Sequence, residues 1–170
     1  MSIHGADFWI RHLELTRHIE GGWYNEVYRS PLLLKNTQLP SYFPGTRNSC
    51  THIYFLLQQH GFSAFHRIRS DELWHFYSGD ALIVYEIDDS GQLTKHRLGN
   101  DPGKAESFFC VIKAGNWFAS RVADGGDYTL VGCTVSPGFD FEDFELADKK
   151  MLLNVYPQHA ELINELAIDI

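Results

Sequence analysis

The stretch GFSAFHRIRSDELWHFYSGD, residues 61–80, sets His66, Glu72 and His75 within ten positions of one another, inside sequence that otherwise alternates like β-strand. Imidazole and carboxylate are ligands of catalytic divalent metals and also an acid–base pair. A metal site needs at least three donors converging on one point, commonly two or three imidazoles and a carboxylate. Alternate residues of a strand share a face, so His66 and Ile68 are expected to point the same way. If the chain returns antiparallel after Arg69-Ser70-Asp71, then Glu72, Trp74 and Phe76 lie on that face too. His75, with Leu73 and Tyr77, takes the other face, where packing against a second sheet, a helix or another subunit is expected.

The elements that must position these groups are mostly strands. Ala6–Leu15 suits a short helix, with Trp9 and Leu13 one turn apart, ended by Gly21-Gly22. GWYNEVYRS then alternates Trp23, Asn25, Val27 and Arg29 against Tyr24, Glu26 and Tyr28, a strand pattern. The following segment holds three prolines and little periodicity, and reads as a long loop. Between Thr51 and Ser136 come eight strand-like runs: THIYFLL, SAFHRIR, ELWHFYS, ALIVYEI, LTKHRL, SFFCVI, NWFAS and YTLVGCTV. Their separators are short and rich in Gly, Asp and Pro, which argues for an antiparallel sandwich or barrel. FEDFELADKK, acidic then basic, is expected to form a short helix, and Pro157 to open a last one carrying Ala160, Ile163 and Ala167 at core spacing. One mainly β domain over residues 1–170 is expected, a barrel with a short N-terminal helix and a helical C-terminus.

Gly61, His66, Glu72 and Gly79 resemble the first motif of the cupin family, with one residue fewer between Gly61 and His66. Ile68 stands where that family has its second metal histidine. KAGNWF is similar to the second motif, with Lys113 at the proline position and Phe118 replacing the histidine, so two of four ligand positions are hydrocarbon. EGGWYNEVYRS, SDELWHFYSGD, LVGCTVSPGFDFEDFELAD and YPQHAELI extend the resemblance, over nearly the whole chain, to a small cupin branch of unknown function. The resemblance implies a double-stranded β-helix, a jelly-roll-like barrel, and a homodimer. It supplies no reaction.

With no complete metal site and no cofactor expected, the barrel is read first as a pocket for a small polar metabolite, sugar-like or acidic. His66 and Glu72 would hold it against Ile68, Trp74, Phe76 and Phe118. Arg29 would receive an anionic group if its alternation turns it inward with Trp23 and Val27, and otherwise pairs with an acid at a rim. A second reading is metal-independent epimerase or isomerase chemistry, with His66 and Glu72 as catalytic acid and base and Tyr24, Tyr28 or Tyr54 as proton donor. Metal-dependent oxidation ranks third, since His66 and Glu72 alone make a weak site. His52 suits a barrel strand, while His4, His12, His18, His60, His96 and His159 read as loop, helix or surface residues.

Composition narrows the partners. A net charge of −8 repels phosphate backbones and anionic lipids, so nucleic acid and membrane partners are not expected. Arg67 and Arg69 read as a solvated face, and Asp140, Glu142, Asp143 and Glu145 as a solvated helix start. The longest apolar runs are five residues, far short of the ~20 a membrane helix needs. MSIHGADFWIRH has none of the marks of a secretory leader, which makes the cytoplasm the expected compartment. Cys50, Cys110 and Cys133 are scattered through strand-like sequence and read as buried thiols.

Overall fold

In the computed structural model, which describes residues 4–170, the chain opens with helix α1 (Ala6–His12) and strands β1 (Thr16–Arg17) and β2 (Trp23–Arg29). The leader reading falls partly on residues 1–3, outside the described residues. A short antiparallel pair, β3 (Leu33–Leu34) and β4 (Arg47–Asn48), brackets the proline-rich segment. Then β5 (Thr51–Gln58), β6 (Phe62–Arg67), β7 (Asp71–Gly79), β8 (Leu82–Ile87), β9 (Leu93–Leu98), β10 (Phe109–Ile112), β11 (Trp117–Val122) and β12 (Tyr128–Ser136) fall on the eight strand-like runs. The chain ends with β13 (Glu145–Leu146) and helices α2 (Lys149–Val155) and α3 (Ala160–Leu166).

The strands form two facing antiparallel sheets, β1-β2-β5-β12-β7-β10 and β13-β6-β11-β8-β9. Alternation decides which side chains meet between them: Phe55, Leu57, Trp74, Phe76, Ile112, Phe118 and Val131 point inward and are almost wholly buried. Removing each from water is worth about 1.5–3 kcal/mol, the main force closing the barrel. Outside, α1 covers one end of the six-stranded sheet through Ala6, Leu15, Leu56 and Leu130. Helices α2 and α3 cover the five-stranded sheet, burying Leu152, Ile163 and Leu166 against Phe65, Tyr85 and Trp117.

Three local expectations change. First, β6 and β7 are not a hairpin: β6 pairs with β11 and β13, and β7 with β12 and β10. The Arg69-Ser70-Asp71 turn carries the chain from one sheet to the other, so His66 and Glu72 approach across the interior instead of sharing a face. Second, the register of β2 against β5 slips between Glu26 and Tyr28. The extra residue reverses the alternation, so Arg29 joins Tyr24 and Glu26 on the inner side instead of following Trp23 and Val27. Third, FEDFELADKK is not a helix. Phe141–Asp143 is a single 3-10 turn, β13 pairs with β6, and α2 starts only at Lys149, capped by Asp148 Oδ1 accepting from Met151 N at 2.8 Å.

The reason lies in Asp143, expected in solvent but only 6% exposed. Its carboxylate accepts from Arg47 Nε at 2.6 Å and Nη2 at 2.8 Å, a bidentate pair with both side chains 3% exposed. Arg47 Nη2 also reaches Glu142 at 3.2 Å. The expected solvated face likewise finds partners: Arg67 pairs with Glu145 at 2.7 Å, and Arg69 Nε lies 3.6 Å from Asp143. These contacts fix residues 139–146 over one end of the barrel.

Candidate functional site

That end holds a cavity of about 330 Å³. Its floor is made by Glu20, His66, Glu72 and Cys133, and its walls by Tyr24, Ile53, Ile68, Val135, Phe139, Phe141 and Phe144, with Glu26, Arg29 and Asp140 also lining it. His66 comes from β6, Glu72 from β7 and Cys133 from β12. Glu20 comes from the loop before β2, where Gly21 and Gly22 take positive φ (111° and 73°). A Cβ on Gly21 would collide with the carbonyl oxygen of Phe62, so the chain passes there only as glycine and delivers Glu20 beside His66.

The Glu20–His66 contact is specific. His66 Nδ1 lies 2.7 Å from the carbonyl oxygen of Ala64 and therefore carries a proton it donates there. This leaves Nε2 with its lone pair toward Glu20 Oε2, 3.1 Å away. Burial holds His66 down to about 3 and raises Glu20 well above the ordinary carboxylate range, reinforced by the negative charge of Glu72. The pair is therefore neutral: protonated Glu20 donates to His66, while Glu20 Oε1 accepts from Ser63 Oγ at 2.8 Å. His18, lowered to about 4 by burial, stays neutral and accepts the Glu20 N–H at 3.4 Å.

Glu72 differs. It is 7% exposed, its carboxyl meets the Cys133 thiol, and no cation among the described residues opposes it, so burial pushes it up to about 7. A buried carboxyl that exchanges its proton near neutrality can act as acid or base. Cys133 is raised in turn by burial and by Glu72, which keeps it a thiol.

Of the residues singled out in the sequence, the structure brings His66, Glu72, Ile68, Arg29 and Tyr24 to the cavity, and also Asp140, which was expected at a solvated helix start. Trp74, Phe76 and Phe118 do not line it. They lie deeper, in the closed core, because each is large enough to fill the space between the sheets; Phe118 packs on His66 at 4.1 Å between ring centroids and supports it from below. Arg29 is already occupied, giving Nε and Nη2 to Glu26 at 2.8 and 2.7 Å, Nη1 to Asn48 at 2.9 Å and Nη2 to the Phe139 carbonyl at 3.1 Å. It holds the rim together instead of offering itself to an anion. Tyr24 is the tyrosine at the cavity, while Tyr28 is exposed and Tyr54 packs near α1. Glu20 was not singled out in the sequence, His18 was read as a loop, helix or surface residue, and the aromatic wall expected from Trp74, Phe76 and Phe118 is built instead by Phe139, Phe141 and Phe144. The acid directly before a glycine pair was the available signal.

A two-sheet β-barrel with a ligand-sized cavity at one end and titratable groups on its floor defines the class. The chain belongs to the Cupin_5 family, described as Cupin superfamily (DUF985), whose model matches residues 7–147. It is similar to the protein SO0799 from Shewanella oneidensis (39% identity, 99% of this chain and 100% of that one, TM-score 0.87). It is also similar to a hypothetical protein from Leishmania major (34% identity, 98% and 100%, TM-score 0.87). The uncharacterized protein YML079W of Saccharomyces cerevisiae is 29% identical over 147 residues, 76% of this chain and 69% of that protein. Oxalate decarboxylase from Bacillus subtilis, at 13% identity and a TM-score of 0.54, shares the fold.

The metal centre that cupins imply does not fit these residues. Ile68 lines the cavity and Phe118 is packed in the core, so neither ligand position offers a lone pair, and the free nitrogen of His66 is met by Glu20. Among the described residues no group of three or more His, Cys, Asp or Glu is arranged to hold a metal ion. No described helix is long and apolar enough to cross a membrane.

Proposed function

We propose that this chain binds a small polar metabolite in the mouth of the barrel, with Glu72 and the Glu20–His66 pair as the groups that orient it. The observation that carries this reading is the cavity of about 330 Å³ with two buried carboxyls on its floor and no cation against them. Such an arrangement costs stability, and apolar walls with a few convergent polar groups are the usual form of a small-molecule site. Thermal-shift screening of sugars, hydroxy acids, keto acids and amines tests it. A compound at a hundred times its Kd stabilises by about 2.7 kcal/mol, and that gain should shrink in both Glu72→Gln and Glu20→Gln. A compound that stabilises wild type and both variants equally would count against this cavity.

Proton transfer without a metal is the second reading, favoured by Glu72 exchanging its proton near pH 7 with Tyr24 on the same cavity. His66 then serves as a positioning partner of Glu20, and Glu72 as the acid or base. Deuterium from solvent should enter a bound carbonyl compound in wild type and not in Glu72→Gln.

A second copy of the chain is the proposed cover for the outer face of the six-stranded sheet. There Tyr77 Oη lies 3.1 Å from His52 Nε2, and Thr134 Oγ1 joins His52 at 2.7 Å and His75 at 3.3 Å, beside half-exposed Phe109. Val111 and Leu73 continue this uncharged patch along paired strands, so two copies related by a two-fold axis would meet without opposing like charges. Light scattering should give twice the chain mass for wild type and the single mass for Tyr77→Glu. A monomeric wild type would overturn this. The cytoplasm is the compartment proposed, in keeping with three cysteines that are all free.

A further inference from the structure

The charges around the cavity are one-sided. Four carboxyl groups line it, those of Glu20, Glu26, Glu72 and Asp140, against one guanidinium, that of Arg29; Glu20 is neutral on His66 and Glu26 is paired with Arg29, which leaves Glu72 and Asp140 to set the sign. Arg29 gives four of its five N–H groups to Glu26, Asn48 and the Phe139 carbonyl, and its charge is already met by the Glu26 carboxylate. The two imidazoles are neutral and bonded within the site. Among the described residues no uncommitted cation lines the cavity to meet a carboxylate or phosphate, while Glu72, more than nine-tenths buried, turns toward the space with no counter-charge.

The walls match the floor. Phe139, Phe141 and Phe144 meet one another at 5.1, 6.1 and 6.2 Å between ring centroids, and His18 links Phe141 at 6.3 Å to Tyr24 at 4.6 Å. Ring faces are negative, and several of them around an enclosed space attract a weakly hydrated cation. Phe141 remains 56% exposed at the rim.

We infer that the ligand of this cavity carries a cationic nitrogen, an ammonium or guanidinium group seated near Glu72 and Glu20 against the aromatic wall; the inference rests on the cavity being the binding site proposed above. Such a group supplies the missing counter-charge and is the one kind of ligand that benefits from acids and ring faces together. A neutral polyol gains only the hydrogen bonds, and an anion is repelled.

Three probes of equal shape test it: choline, its uncharged carbon analogue 3,3-dimethylbutan-1-ol, and 3,3-dimethylbutyrate. Each is titrated into wild-type protein while side-chain NMR signals of His66 and Phe144 report occupancy of the cavity. Choline should bind roughly tenfold or more tightly than the alcohol, and 3,3-dimethylbutyrate most weakly. Glu72→Gln should weaken choline severalfold, with the part of its preference due to the ring faces retained, and leave the alcohol unchanged. Equal binding of choline and the alcohol, or preference for the anion, would overturn the cationic ligand while leaving the cavity as the binding site. No perturbation of His66 or Phe144 by any of the three at tens of millimolar would overturn both. If Glu72→Gln binds choline as tightly as wild type does, the assignment to Glu72 fails.

Discussion

Replacing Glu72 with glutamine is expected to make the protein more stable above pH 7, by up to about 3 kcal/mol, with little change near pH 4.5. Burial raises this carboxyl from 4.5 to about 7. Between those values the folded chain keeps a proton that the unfolded chain has released. Stability from this group is therefore complete below pH 4.5, is lost as pH rises to 7, and stays lost above it. Glutamine has a similar shape and nothing to ionise, so it escapes the loss. His66 acts in the opposite sense: lowered from 6.5 to about 3, it removes stability as pH falls through that window. Thermal unfolding at pH 5 and pH 8 separates the two, because the gain of the variant over wild type must grow with pH. At ~2–4 °C per kcal/mol the difference at pH 8 should be about 6–12 °C. An unchanged or lower melting temperature at pH 8 would mean that Glu72 is not ionising in an uncompensated site.

Asp143→Ala should have the largest effect of any single change in the carboxylates around this end of the barrel, a loss of about 3–5 kcal/mol. The substitution leaves Arg47, whose side chain is 3% exposed, as a charge out of water with Glu142 as its remaining acid. It also frees the turn that carries Phe139, Phe141 and Phe144, so any ligand of the cavity should bind more weakly. Replacing both partners together, Arg47→Met with Asp143→Leu, should recover most of the stability, since no unpaired charge is left behind. Urea unfolding of the two single variants and the double variant measures the coupling. If Asp143→Ala costs no more than an exposed ion pair, about 0–1 kcal/mol, the buried pair does not anchor this wall.

How much of this could be read from the sequence follows from the range of the forces involved. Strand alternation is local, so the eight runs from Thr51 to Ser136 and the inward placement of Trp74, Phe76 and Phe118 were legible, as was the hydrocarbon at two cupin ligand positions. Position along the barrel axis is not local. Nothing in the spacing of Trp74 or Phe118 says that they close the core while Ile68 lines a cavity. The bulge at Glu26–Tyr28 reversed the phase of β2 and carried Arg29 to the inner side for a different reason from the one its alternation suggested. Glu20 lay outside every periodic segment, and its approach to His66 depends on a glycine pair passing close to β6. Asp143 belonged to an acidic run of ordinary surface appearance until Arg47, 96 residues earlier, is seen to enclose it. In each case the decisive contact is distant in sequence, and in each case it lies at the cavity end, where the pattern of the strands gives way to buried polar groups.

Glu72 lines the cavity, buried and with no counter-charge among the described residues. Side-chain carboxyl carbon shifts of isotopically labelled glutamates, assigned with Glu72→Gln and followed through a pH titration of the free protein, test it most directly. A midpoint for Glu72 near pH 7 is expected; a midpoint at the ordinary 4.5 would mean that this carboxyl is not held buried and unopposed.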